Sequence, residues 1–162
     1  MSINKYHPHV LVLPEDDANR QLANGFLLDP AVQPRAIQVL GEVGGWRVVL
    51  DRFKSDHIHD MNRYSARFMV LLIDFDGKEN RLAEAKSVVP PNLADRVFIL
   101  GSRTTPEALR SAGLGTFEAI GLALATDCRE RTNTTWAHDL LRHNELELER
   151  MSNQIRPLIF CE

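Results

Sequence analysis

Cysteine is scarce in this chain: Cys128 and Cys161 are the only two among 162 residues. They lie far apart and outside any Cys-x-x-Cys spacing, which excludes a disulfide scaffold and a zinc knuckle and predicts two packed thiols. Long apolar runs are missing too. No segment approaches the ~18 to 20 residues that a membrane-spanning helix needs. The opening stretch Met1-Ser-Ile-Asn-Lys-Tyr-His-Pro-His9 has no signal-peptide pattern. The expectation is a cytoplasmic protein with no membrane partner. Charge of one sign is equally sparse. At a net −3, the chain offers a polyanion no global attraction, so nucleic acid would have to be held by local basic groups or through metal ions. There is no Gly-x-Ser-x-Gly elbow and no defensible Ser-His-Asp or Cys-His arrangement. What is present is a hydrophobic fraction of 44% in a chain of one-domain length, enough for a real core.

The pattern along the chain alternates strand and helix. His9-Val-Leu-Val-Leu-Pro14 reads as a first strand, and Glu15-Asp16-Asp17 opens a helix carrying Ala18, Leu22 and Phe26 on one face, with Asn24-Gly25 as its weak point. A second strand is predicted at Ala36-Ile-Gln-Val-Leu40, then a glycine-rich turn, Gly41-Glu-Val-Gly-Gly45, and a helix from Trp46 to about Asn62. The third strand is the most apolar run, Arg67-Phe-Met-Val-Leu-Leu-Ile-Asp-Phe-Asp-Gly77. A polar helix from Lys78 to about Ser87 and a fourth strand at Arg96-Val-Phe-Ile-Leu-Gly101 follow. This alternation predicts an α/β fold with an open, mostly parallel four-stranded sheet of Rossmann type and right-handed crossovers over residues 1–105. Residues 106–162 form a helical C-terminal extension packed on the same domain, with helices expected at about Thr116–Cys128 and Trp136–Ser152. The last residues, Pro157-Leu-Ile-Phe160, fit an edge strand or a packed tail.

The first and third strands both end in acids. Ligands of parallel sheets collect at the carboxyl ends of strands, so Glu15 from one and Asp74 and Asp76 from the other are delivered to the functional edge. Strand side chains alternate, so positions 74 and 76 are expected to point the same way. Anions sharing one space need a cation or a proton between them. Oxygen donors of this kind suit Mg²⁺ or Mn²⁺, ions that polarise phosphoryl oxygens and lower the pKa of bound water.

A glutamate at the end of strand one and an Asp-x-Asp at the end of strand three, separated by a β-α unit, resembles the topoisomerase/primase (TOPRIM) fold. The match covers roughly residues 9 to 102. The resemblance implies Mg²⁺-dependent nuclease or nuclease-like chemistry on DNA or RNA. Glu15 would be the acid/base or metal-binding glutamate, and Asp74 and Asp76 the metal ligands. The Gly44-Gly45 turn before a helix also resembles a Gly-containing loop of some members of that family, and its helix N-terminus, with Arg47 nearby, could take a phosphate. The chain departs from the family at Asp16, where members commonly carry glycine.

Each feature also has a plainer use. Glu15-Asp16-Asp17 suits a helix cap and Asp76-Gly77 a turn, although capping needs only one acid at each place. His57-Ile-His59 shares no helical face and reads as solvated. Leu140, Leu141, Leu146 and Leu148 must pack somewhere, on this chain, a partner protein or a second copy. Two further classes therefore stand beside the enzyme: a non-catalytic protein-interaction module, and a phospho-accepting receiver-like domain with Asp74 taking the phosphoryl group. The latter needs a lysine after a fifth strand, which the sequence does not offer.

Overall fold

The computed structural model describes residues 3–161. Four strands, β1 His9–Pro14, β2 Ile37–Val39, β3 Arg67–Leu72 and β4 Val97–Leu100, form one all-parallel sheet in the order β2-β1-β3-β4. The register pairs Val12 with Val39 on one side and with Val70 on the other, and Leu72 with Leu100. The chain steps outward from β1 to β2 and then returns across β1 to β3. The strand order therefore reverses between β1 and β3, the place where open α/β sheets leave a crevice at their carboxyl ends.

Both faces of the sheet are covered, which is why its strands read as near-continuous apolar runs. On one face Val10, Val12, Val70, Phe98 and Leu100 pack under α1 (Asp17–Phe26) and later elements of the C-terminal third. On the other, Leu11, Leu13, Met69, Leu71 and Ile99 pack under the helical stretch between β2 and β3 and under α4 (Arg81–Ser87). That stretch runs as α2 (Trp46–Arg52), a π-turn at Phe53–His57 and α3 (Ile58–Arg63), close to the single helix expected from Trp46 to Asn62.

The C-terminal third is built differently from its expected two helices. A short α5 (Pro106–Ser111), opened by proline, precedes α6 (Phe117–Glu130), and α7 begins only at Glu145, running to Ser152, with a last turn α8 at Arg156–Ile159. The segment expected to be helical from Trp136 runs as turns and a 3-10 turn at Arg142–Asn144 before α7, and Asp127 ties down its start. Its carboxylate accepts from the Thr132 hydroxyl and from the amides of Thr134, Thr135 and Trp136 at 2.7 to 3.2 Å. Phe160 makes one antiparallel bridge to Val32, so the tail packs without adding a strand to the sheet.

Two contacts bind this third to the sheet. Helix α6 crosses α1 so closely that a Cβ on Gly121 would lie 2.0 Å from the Leu22 carbonyl oxygen, and one on Gly25 2.3 Å from that of Glu118. The expected weak point of α1 is thus its packing face. The open edge of β4 is closed by side chains: Glu147 Oε2 accepts from the Ile99 amide at 2.9 Å, while Asn144 bonds the Gly101 amide at 3.1 Å and its carbonyl at 3.0 Å. These groups satisfy backbone that an uncovered edge would offer to another chain. Cys128 is half-buried as a packed thiol, whereas Cys161, also expected to pack, is exposed.

Candidate functional site

The carboxyl end of β1 passes directly into α1, and Asp16 supplies the cap: its Oδ1 accepts from the Asn19 amide at 2.9 Å. Glu15, one residue earlier, is therefore held at the sheet rim with 8% exposure. Its Oε2 accepts from the Asp74 amide at 2.5 Å, so residues 59 apart in sequence meet at the crevice between β1 and β3. Asp74 is 6% exposed and turns toward α1, where its Oδ1 accepts from Asn19 Nδ2 at 2.8 Å. The same Nδ2 reaches Asp16 Oδ1 at 2.9 Å. Asn19 thus ties Asp16 to Asp74 from one helical turn inside α1.

Asp76 does not continue the alternation that placed it beside Asp74. Regular β3 pairing ends at Leu72, and Asp76 takes a left-handed φ of 49° to enter the turn at Gly77. Its exposed carboxylate swings onto Arg81, with Oδ2 accepting from Nη1 at 2.7 Å. Arg81 Nη1 also donates to the Asp74 carbonyl at 2.8 Å. The expectation that positions 74 and 76 face the same way is corrected on this point. Ile73 and Phe75 are buried in the core on the opposite face, which fixes Asp74 toward α1.

The electrostatics follow from burial and crowding. Burial pushes the Asp74 carboxyl up from 3.8 to about 7, against the Asn19 hydrogen bond, and the charges of Glu15, Asp16 and Asp76 push the same way. Burial also raises Glu15. The Asp74 amide opposes that rise, Asp16 and Asp76 add to it, and Arg81 offsets part of it.

Among the described residues, no three His, Cys, Asp or Glu side chains stand in the arrangement of a metal site. The donor chemistry nonetheless fits a hard cation. Hydrogen bonds engage one oxygen of each of Glu15, Asp74 and Asp76, and among the described residues the second oxygen of each has no protein partner. Asn19, fully buried, has an Oδ1 with no hydrogen-bond partner. Asn19 Oδ1 thus adds an unpartnered buried acceptor beside two carboxyls of raised proton affinity. Sequence reasoning missed Asn19. Its one signal was its position a helical turn after Glu15, inside the helix those acids open.

The phosphate-holding turn is arranged otherwise than its sequence suggested. The amides of Gly44 and Gly45 donate to the Glu15 carbonyl at 2.8 and 3.3 Å, bracing the loop under Glu15. Arg47 is exposed and lies 3.8 Å from Glu84. Arg81, which sequence reading did not single out, is the buried cation of the site, its Cζ 4.3 Å from the Trp46 ring centroid. An apolar cavity of about 570 Å³ lies elsewhere, under α1 and the C-terminal third, and none of Glu15, Asp16, Asn19, Asp74 or Asp76 lines it. The acids sit at the open rim of the sheet.

Fold and site together define an open, all-parallel α/β protein with a buried carboxyl pair at its topological switch point. No protein-family model, curated protein or solved structure matches the chain.

Proposed function

We propose that this protein carries out metal-dependent phosphodiester chemistry on DNA or RNA, as a nuclease or nuclease-like component of TOPRIM type, with Mg²⁺ or Mn²⁺ held by Glu15, Asp74 and, once released from Arg81, Asp76. The observation that carries the reading is the meeting of Glu15 and Asp74 at the β1–β3 crevice, with the proton affinity of both raised. A carboxyl with a pKa near 7 is matched to moving protons at neutral pH, and structural acids seldom need such a value. A bound divalent ion would supply charge stabilisation at the phosphoryl oxygens and a more acidic water. Around it, Asn19 fixes the direction of Asp74, the Gly44-Gly45 turn holds Glu15, and Arg81 offsets the accumulated negative charge. The open rim suits a polymer laid across the sheet edge better than an enclosed small molecule.

The test is cleavage of single- and double-stranded DNA and RNA with Mg²⁺ or Mn²⁺. Asp74→Asn keeps the shape and removes the charge, and is expected to lower the rate roughly 10²-fold or more. Activity indifferent to Asp74→Asn and Glu15→Gln would remove the proposal.

A second reading has its own observation. Every acid has a protein partner: Glu15 the Asp74 amide, Asp74 Asn19, and Asp76 Arg81. In a non-catalytic interaction module these bonds would be the whole role of the acids. The partner, or a second copy, would meet the C-terminal helices around Leu146, which is 74% exposed. Calorimetry with Mn²⁺ separates the two, since only the enzyme needs the ion. The receiver-like alternative requires a lysine after a fifth strand, and the sheet has four among the described residues.

A further inference from the structure

We infer that Arg81 is the phosphate-binding group of this site, taking two oxygens of one phosphate on the free edge of its guanidinium while Trp46 holds the group flat. The identity of the phosphate as a nucleic-acid phosphodiester rests on the function proposed above. The anion site itself rests on Arg81 alone.

Arg81 is the first residue of α4, and only 8% of its side chain is exposed. Both bonds it makes leave from one nitrogen, Nη1, to the Asp74 carbonyl at 2.8 Å and to Asp76 Oδ2 at 2.7 Å. Its guanidinium stacks on Trp46, Cζ lying 4.3 Å from the ring centroid. Among the described residues, Nε and Nη2 have no hydrogen-bond partner, and neither is sealed from solvent.

A guanidinium carries five donors in a rigid plane, and its Nε–Nη2 edge presents two parallel N–H groups at the spacing of two carboxylate or phosphate oxygens. Here the plane is fixed by the stack on one face and by two bonds at Nη1, so little freedom remains to be lost when an anion arrives. Leaving three donors of a largely buried cation without protein acceptors is costly unless solvent or a ligand takes them. Nη1 is bonded to Asp74's own carbonyl, so an anion on the free edge is one guanidinium's width from the Asp74 backbone. Arg47, whose Cζ is 4.6 Å from the same Trp46 ring, is exposed nearby and pairs with Glu84 at 3.8 Å. The phosphate role expected of the Gly44-Gly45 turn passes to Arg81, because those two amides already face the Glu15 carbonyl.

Asp76 occupies Nη1 and leaves the Nε–Nη2 edge open, so phosphate need not displace it. Its negative charge nonetheless opposes an incoming anion through space.

The experiment measures inorganic phosphate by calorimetry and a labelled single-stranded oligonucleotide by anisotropy, without divalent ion, at about 50 and about 200 mM salt. Arg81→Lys keeps the charge and loses the fork, and is expected to weaken both ligands about tenfold. Arg81→Gln should in addition lower the salt slope of oligonucleotide binding by about one. Asp76→Asn removes the nearby negative charge and should strengthen phosphate binding several-fold, a gain that misfolding cannot mimic. Wild-type affinity in Arg81→Lys, or no gain in Asp76→Asn, overturns the inference. Phosphate binding without oligonucleotide binding keeps the site and assigns it to free phosphate. Arg81-dependent binding with no Mn²⁺-dependent cleavage sinks the nuclease reading alone. Cleavage that needs Asp74 but binding indifferent to Arg81 sinks this one alone.

Discussion

Asp74 is held at a cost to the fold. A carboxyl moved from 3.8 to about 7 favours the folded state while it is protonated, and that contribution is complete below its unfolded value. It is lost as the pH rises through about 7, up to about 4 kcal/mol in all. Wild-type protein should therefore lose stability between pH 5 and pH 8 in denaturant titrations, and Asp74→Asn should flatten that loss and be the more stable protein at pH 8. An unchanged pH profile would show that the carboxyl is ordinary. Stability given up at one buried acid is expected where that acid works. At the proposed metal site the same proton competes with a cation. Mn²⁺ affinity should fall about tenfold per pH unit below 7, with proton release visible in calorimetry across buffers of different ionisation enthalpy. Glu15 and Asp74 were legible in the sequence because strand ends are. Arg81 was not, and Asn19 only by its place a turn after Glu15, because which helix residue reaches a site depends on how the helix docks.

Helices and strands are joined here by groups whose role depends on proximity. Gly121 lets α6 lie against the α1 backbone, so Gly121→Ala forces the helices apart and should cost about 2 to 3 kcal/mol in thermal or denaturant unfolding. Gly41→Ala, where an added Cβ meets nothing within 4 Å, should stay within about 0.5 kcal/mol of wild type. At the β4 edge, Glu147 Oε1 also accepts from Lys86 and Arg150, both at 2.7 Å. Burial would raise its carboxyl, but Lys86, the Ile99 amide and Arg150 outweigh burial and hold it low. The sign is opposite to that of Asp74: this contribution is present above the unfolded carboxylate value and disappears as the pH falls through the folded one. Glu147→Ala should cost about 3 kcal/mol and speed hydrogen exchange at the Ile99 amide. Normal protection at Ile99 in that variant would remove the edge-closing role.

The molecule as a whole is one sheet wrapped by two sequence segments of different kinds. Residues 106–162 supply α6 against α1 and the groups that close β4, so the strand-helix alternation does not stand apart from them. A chain ending at residue 105 would expose the packing face of α1 and the free edge of β4, and should aggregate or unfold without a cooperative transition. A soluble, cooperatively melting fragment would contradict this. Among the described residues no helix is long and apolar enough to cross a membrane, as the hydropathy of the sequence requires. The acidic rim lies outside the large apolar cavity, at the open carboxyl edge of the sheet.

Local chemistry fixed the parts. Apolar runs cut off by Pro14 and by Asp76-Gly77 made β1 and β3, acids after them made caps, and periodicity made the helices, since each depends on neighbours a few residues away. Tertiary structure decided what no local rule contains: the order β2-β1-β3-β4 that sets Glu15 against Asp74, and the left-handed turn that sends Asp76 to Arg81. It also brought Asn19 between two acids and folded Glu147 onto the sheet edge. The physical reason is that these contacts join residues far apart in the chain, and only packing of the complete sheet against all its helices brings them within bonding distance.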